Sequence, residues 1–230
     1  ISVTKAEELG YWANELGATT LPTGSLRLQS GGGAIPDFNG FDDGQWWVQD
    51  ASAALPVHLL GQDLQGKKVI DLCAAPGGKT AQLAARGATV TALDRSAKRL
   101  EILKENITRL KFGDSVDVVV GDGSVWQPAE PVDVVLLDAP CSATGTIRRH
   151  PDILHLKTDK DVAQLQDIQA RLLENSAAML KSGGILIYCT CSLQKSEGEA
   201  QVDQFLGTHP EFERVQITAD EVGGIETLIS

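Results

Sequence analysis

No stretch of the chain approaches the roughly 18 uninterrupted apolar residues that a membrane span requires. Its first residues also lack the basic region and apolar block of a secretory signal. These absences set the expectation of a soluble, cytoplasmic protein. Positive charge is scarce: 20 Lys and Arg stand against 31 Asp and Glu, a net charge of −11 and a pI near 4.8. That excludes a protein that holds nucleic acid by its whole surface, so any such contact has to be local. Internal repeats and low-complexity tails are missing too. The four cysteines (Cys73, Cys141, Cys189 and Cys191) include no pair with the two-residue gap of a zinc knuckle and have no histidine set nearby. A structural metal is therefore not expected. The cysteines fall in apolar runs rather than in a loop-rich scaffold, so each has to be explained as core or as chemistry.

What is present is an ordinary globular composition, 42% hydrophobic and 22% charged over 230 residues, enough to bury a two-sided sheet core. Residues 1–44 form a Gly, Pro, Thr and Ser-rich lead-in, with one alternating piece, Ser25-Leu26-Arg27-Leu28, and a flexible-looking run, Ser30-Gly31-Gly32-Gly33. Residues 45–230 alternate apolar strand candidates with helix candidates, the pattern of a mostly parallel α/β sheet covered on both faces. Helices are expected at 51–60, 78–85, 97–110, 160–180 and 197–206, and strands at 68–73, 89–93, 116–120, 132–137 and 185–189. Residues 211–217 read as a further strand, and Lys181-Ser182-Gly183-Gly184 as the cap that ends a helix. The chain starts at Ile1 and stops soon after a glycine pair, which reads as a fragment of a longer protein.

Acidic residues close three of these strands: Asp94, Asp122 and Asp138. Open parallel sheets bind ligands at that edge. The first strand runs into Asp71-Leu72-Cys73-Ala74-Ala75-Pro76-Gly77-Gly78-Lys79-Thr80, where small residues admit a ligand to the backbone and a helix begins with free N–H groups. The tail of this segment resembles a P-loop, but that motif needs a glycine five residues before Gly78 and Cys73 stands there. Asp94 is placed to accept hydrogen bonds from ribose hydroxyls and Asp122 to meet an adenine; either also suits an ordinary capping role. Cys73 and Cys189, inside strand candidates, read as packing. Cys141 and Cys191 lie where strands give way to loops, and a thiol there is accessible and open to activation.

These segments closely resemble a known family. Asp71 to Thr80, Asp138-Ala139-Pro140-Cys141-Ser142 and Thr190-Cys191-Ser192, with Val48-Gln49-Asp50-Ala51-Ser52 before them and Gly145-Thr146-Ile147-Arg148-Arg149-His150-Pro151-Asp152 between, look like the Sun/Fmu family of RNA 5-methylcytosine methyltransferases. The resemblance runs from Gln45 to Phe212 and is strongest to the bacterial type that modifies 16S ribosomal RNA. It implies a Rossmann-like, S-adenosylmethionine-dependent methyltransferase fold. Cys191 would be the nucleophile, Cys141 the helper that releases product, and Asp138 the carboxyl group that holds the cytosine, with Lys79 in the floor of the site. The cofactor would lie against Cys73, Ala74, Ala75, Pro76, Gly77, Gly78, Lys79, Asp94, Arg95, Asp122, Gly123, Asp138 and Pro140. Arg148, Arg149 and His150 form the best local cationic cluster for RNA phosphates, and otherwise a solvated loop. The resemblance further implies an RNA partner, ribosomal or alternatively transfer RNA, with neither metal nor membrane, and a monomer. A catalytically idle assembly factor is the rival from another class, disfavoured because a scaffold has no use for two thiols at adjoining strand ends. The family's closing Gly-Gly-x-Asp-Gly-Phe-type stretch is not found in these 230 residues, nor is the N-terminal helical RNA-binding domain of bacterial relatives.

Overall fold

A computed structural model of the chain describes residues 1–29 and 33–225. The Ser30-Gly31-Gly32-Gly33 run thus lies outside the described residues except for Gly33. The lead-in of residues 1–44 contains β1 (Ser2–Val3), α1 (Leu9–Glu15), β2 (Ala18–Thr20) and β3 (Leu26–Leu28), and β4 (Trp46–Trp47) follows just beyond it. The alternating piece is β3, which pairs antiparallel with β2, while β1 pairs with β4. Helix α1 was not legible as a helix because its apolar anchors, Trp12 and Leu16, are few; they bury against Ile1, Leu26 and Trp46 in a core of their own. This unit sits on the end of a later helix. Arg109 stacks its guanidinium 3.9 Å from the Phe41 ring centroid and donates to the carbonyls of Phe41 and Trp46.

The main unit continues through α2 (Ala51–His58), β5 (Lys68–Leu72), α3 (Gly78–Ala85), β6 (Thr89–Asp94), α4 (Ala97–Arg109), β7 (Val116–Val120), β8 (Val132–Asp138), α5 (Ile153–Leu156), α6 (Asp159–Met179), β9 (Leu180–Cys189) and α7 (Glu199–Thr208). The five long strands form one parallel sheet in the order β7-β6-β5-β8-β9. Alternation along each strand fills two separate cores. Val69, Val90, Ala92, Val134 and Leu136 face α2, α3 and α4, whose Val57, Leu83, Leu100, Leu103 and Ile107 complete that layer. Ile70, Leu72, Leu93, Val135 and Leu137 face α6 and α7 through Leu172, Leu173, Met179 and Phe205. Leu100, Leu103 and Ile107 recur at helical spacing, which gives α4 a single apolar stripe. Asp50 caps α2 by accepting from the Ser52 N–H at 2.9 Å, and Thr158 and Asp161 form a capping box on α6. No helix among the described residues is long and apolar enough to cross a membrane.

Two expectations are corrected. Lys181 to Gly184 do not cap α6. Leu180 is already extended and pairs with Val132, the next residues bulge outward with Gly183 at φ +76, and pairing resumes at Ile185 with Val134. The bulge absorbs the extra residues that looked like a helix exit. Residues 211–217 form no strand: Val215 and Ile217 are exposed, and their alternation meets no partner edge.

Leu136 sits in β8, between β5 and β9, with no exposed surface, so Leu136→Ala is expected to cost about 3 kcal/mol of unfolding free energy through cavity formation. Urea unfolding midpoints at constant slope measure it.

Candidate active site

Strand order reverses between β5 and β8, which opens a crevice above their carboxyl ends. On the β5 side the strand stops at Leu72, and Cys73 turns the chain with φ +61. Cys73 therefore lies one residue beyond the strand expected to contain it. Burial pushes its thiol up to about 12, which suits packing rather than reactivity. Gly77 at φ +101 starts α3 directly, with no side-chain cap; a Cβ there would stand 2.8 Å from Leu103 Cγ. The turn thus brings α3 close to α4 and leaves the first helical N–H groups uncapped by any side chain. Beneath it, Asp71 is fully buried, accepts from the Thr80 hydroxyl at 2.6 Å, and has its Oδ1 without a partner among the described residues. Burial pushes its carboxyl up to about 7 against the pull of Thr80 and Lys79.

Asp94 closes β6 but turns inward. Its carboxylate accepts from the N–H groups of Ala75 and Ser96 at 3.3 and 2.8 Å and pairs with Arg99 at 3.3 Å. It thus fixes the β5–α3 turn itself. Arg99 also donates to the Ala75 carbonyl, a link across the turn that sequence reading missed because a helix arginine looks like ordinary surface charge. Arg95 and Asp122 are exposed, and Asp122 accepts from both the N–H and hydroxyl of Ser124, which hold its carboxyl below the usual range. Gly123 is buried where a Cβ would lie 3.0 Å from Leu172.

On the other side of the crevice Asp138 pairs in register with Cys189, and the Ala139 N–H donates to the Cys189 carbonyl at 2.9 Å. This places Cys189, expected as plain packing, with its sulfur 3.7 Å from Asp138 Oδ1; burial pushes the thiol well up, so it stays protonated beside the carboxylate. Lys79 reaches across from α3 to Asp138 at 2.7 Å. Burial alone would lower its ammonium, but the Asp138 carboxylate raises it above its ordinary value. Three residues past the end of β8 and two past the end of β9, the sulfurs of Cys141 and Cys191 stand 3.4 Å apart, both as free thiols. The Cys141 S–H donating to Cys191 draws the latter down to about 7, against burial and Asp138, while Cys141 is held far above the thiol range by the same contact and by burial. Cys191 is the exposed member of the pair. Cys191, Cys141, Asp138 and Lys79 therefore come together, as the sequence suggested.

The loop after Cys141 carries the cationic cluster. Arg148, Arg149 and His150 are all exposed, but Arg149 is engaged by Asp50 at 3.1 Å, which ties this loop to the start of α2. Pro140 accepts from Gln169 through its carbonyl at 2.9 Å. Behind the two thiols lies Glu197, which no motif singled out and which joins both cysteine loops.

The sheet order and the placement of these residues at its carboxyl edge define a domain with the Rossmann-like fold of S-adenosylmethionine-dependent methyltransferases. Its likeness to solved structures agrees: it superposes on a methyltransferase homologue from Pyrococcus horikoshii at TM-score 0.74, 29% identity, over 90% of this chain and 68% of that one. NSun6 from the same organism, solved with SFG, gives 0.68 and 28% over 80% of this chain and 46% of that one. Within that class the chain belongs to the 16S rRNA methyltransferase RsmB/F family, which residues 59–228 match. Ribosomal RNA small subunit methyltransferase B of Serratia proteamaculans is 44% identical over 85% of this chain and 46% of its own length. That of Yersinia enterocolitica is 45% identical over 80% and 43%. The chain thus spans a little under half the length of these curated relatives.

Asp71 yields a pH signature. Its carboxyl takes up a proton on folding anywhere between its free value near 3.8 and its buried value near 7, so it weakens the fold progressively as pH rises through that window. Asp71→Asn, which keeps an acceptor for Thr80, is expected to raise the melting temperature at pH 8 and to lose that advantage near pH 4, as paired thermal melts would show.

Proposed function

We propose that the protein methylates carbon 5 of a cytosine in 16S ribosomal RNA, acting as a cytoplasmic monomer without a metal, with Cys191 as covalent nucleophile. The observation that carries the reading is the exposed Cys191 thiol, drawn toward its thiolate by Cys141 3.4 Å away and flanked by the Lys79–Asp138 pair. The names of the curated relatives supply the RNA class. S-adenosylmethionine, when bound, provides an electrophilic methyl group. The β5–α3 turn from Cys73 to Lys79, with Asp94, Arg95, Asp122, Gly123, Asp138 and Pro140, is the set of residues that would hold it. Two features fit a ligand at this edge: the orphaned Asp71 oxygen beneath the turn, and the space at Gly78, where an added Cβ would meet nothing closer than Gln49 Cγ at 3.8 Å.

Carbon 5 of cytosine is too weak a nucleophile to take a methyl group unaided. Addition of the Cys191 thiolate at carbon 6 makes it enamine-like. Asp138 faces the ring nitrogen 3 and exocyclic amine edge, and Lys79 beside it opposes the negative charge that addition creates, an effect worth several kcal/mol in a site shielded from water. After transfer, the carbon 5 proton leaves and the electron pair of its bond expels Cys191. Cys141 is suited to assist. Its high proton affinity arises first from its contact with the Cys191 sulfur, and once that sulfur is a neutral thioether the charge opposing Cys141 ionisation is gone. The base itself has to be splayed out of any stack, with Arg148 and His150 on the exposed loop meeting phosphates and Arg149 following if it releases Asp50.

Methyl transfer with tritiated cofactor to small-subunit ribosomal and transfer RNA transcripts tests the reading in the full-length protein. Ribosomal labelling is expected; transfer RNA labelling moves the substrate, and labelling of neither leaves an RNA-binding assembly factor. Cys191→Ala is expected to abolish transfer, and Cys141→Ala to accumulate a covalent RNA adduct on a denaturing gel. Adduct formation is expected to rise as pH increases through about 7, where the Cys191 thiolate forms, and then to level.

A further inference from the structure

Behind the crevice lies a carboxylate that touches no part of it. Glu197 ends the 3-10 turn Lys195–Glu197 ahead of α7 and has no exposed surface. Its Oε1 accepts from the Ser142 backbone N–H at 2.9 Å and from Gln169 Nε2 at 3.1 Å. Its Oε2 accepts from the hydroxyls of Ser142 and Ser192 at 2.5 and 2.6 Å. Four donors fill the accepting capacity of a carboxylate. They outweigh its burial and hold it below the usual range, so the group stays charged inside the protein.

The donors are not arbitrary. Ser142 follows Cys141 and Ser192 follows Cys191, so one charge joins the tips of two loops that leave different strands. The serine oxygens are 3.0 Å apart, matching the 3.4 Å between the sulfurs one residue earlier. The rest of the surroundings fixes the clamp to the sheet. The Tyr188 hydroxyl donates to the Glu197 carbonyl at 2.6 Å, and the Gly145 N–H donates to the Cys191 carbonyl at 2.9 Å, at a spot where a Cβ on Gly145 would lie 2.8 Å from that oxygen. A buried carboxylate is a poor way to gain stability, because a well-packed apolar side chain does as much without desolvating a charge. Directional bonds to two loops at once are what a carboxylate adds.

We propose that Glu197 is a positioning residue for the cysteine pair: by holding Ser142 and Ser192 on one buried carboxylate it keeps the Cys141 thiol within hydrogen-bonding reach of Cys191. Its catalytic consequence rests on the function proposed above, whereas the thiol geometry does not.

The test reads Cys191 directly in the full-length protein, as the pH profile of its alkylation by iodoacetamide, with the modified site located by peptide mass spectrometry. Glu197→Gln keeps the volume and removes the charge; the profile midpoint is expected to rise by about one pH unit toward an ordinary thiol. Ser192→Ala and Ser142→Ala are expected to shift it less, in the same direction, and Glu197→Asp to fall between the wild type and Glu197→Gln. Leu100→Ala, in α4, is expected to lower the melting temperature yet leave the profile unmoved. A wild-type profile in folded Glu197→Gln overturns the proposal, as does a wild-type midpoint at the ordinary thiol value. Should Glu197→Gln fail to fold, unshifted profiles in both serine variants overturn it. A shifted profile in a protein that methylates no RNA upholds the clamp and counts against the proposed function alone.

Discussion

The parallel register of β8 on β9 sets Asp138 opposite Cys189, and the site is built outward from that pair. Three residues beyond Asp138 and two beyond Cys189 each loop presents a thiol, and because both loops leave the same sheet edge the sulfurs meet. A slip of one residue in this register would turn every side chain of β9 to the opposite face. It would carry Cys189 away from Asp138. The bulge at Lys181 to Gly184 lies early in β9, where surplus residues are absorbed before the strand reaches Cys189.

Around this register the charges are arranged by burial. Lys79 spans from α3 to Asp138, so the glycine turn and the β8 end are linked by an ion pair shielded on one side, with Lys79 only 14% exposed. Asp71 is pushed toward its neutral form beneath the turn, while Asp94 remains coordinated by two N–H groups and Arg99. Three carboxyl groups at neighbouring strands thereby take different parts: one pushed toward its neutral form beneath the turn, one holding the turn, and one paired with Lys79. The two thiols are separated in the same manner, since a single hydrogen bond lowers Cys191 and raises Cys141.

Much of this was legible from the chain. The helix at Gly78–Ala85 and the strand at Val116–Val120 carry the expected bounds, because Gly77 ahead of α3 and a valine run broken only by Asp117 mark them locally. The adjacency of Cys141 and Cys191 followed from strand order. Less legible were α1, whose apolar anchors are spread over a polar segment, and the exposed alternation near Val215, which imitates a strand without an edge to pair with. Arg149 read as a free cation, and only packing showed Asp50 within reach.

Taken by itself, the sequence determined the alternation of elements, the acidic strand ends, the glycine turn and the thiols and charged groups available beside them, since these depend on residue type and on contacts a few positions apart. Which oxygen or nitrogen each group meets was decided by tertiary structure. The inward turn of Asp94 onto Ala75, the link from Lys79 to Asp138 and the closure of the Cys141 loop on Glu197 join residues 19 to 59 positions apart. No local pattern encodes such partners, because hydrogen bonds and ion pairs depend on fine differences in distance, and that precision arises only once both cores have packed.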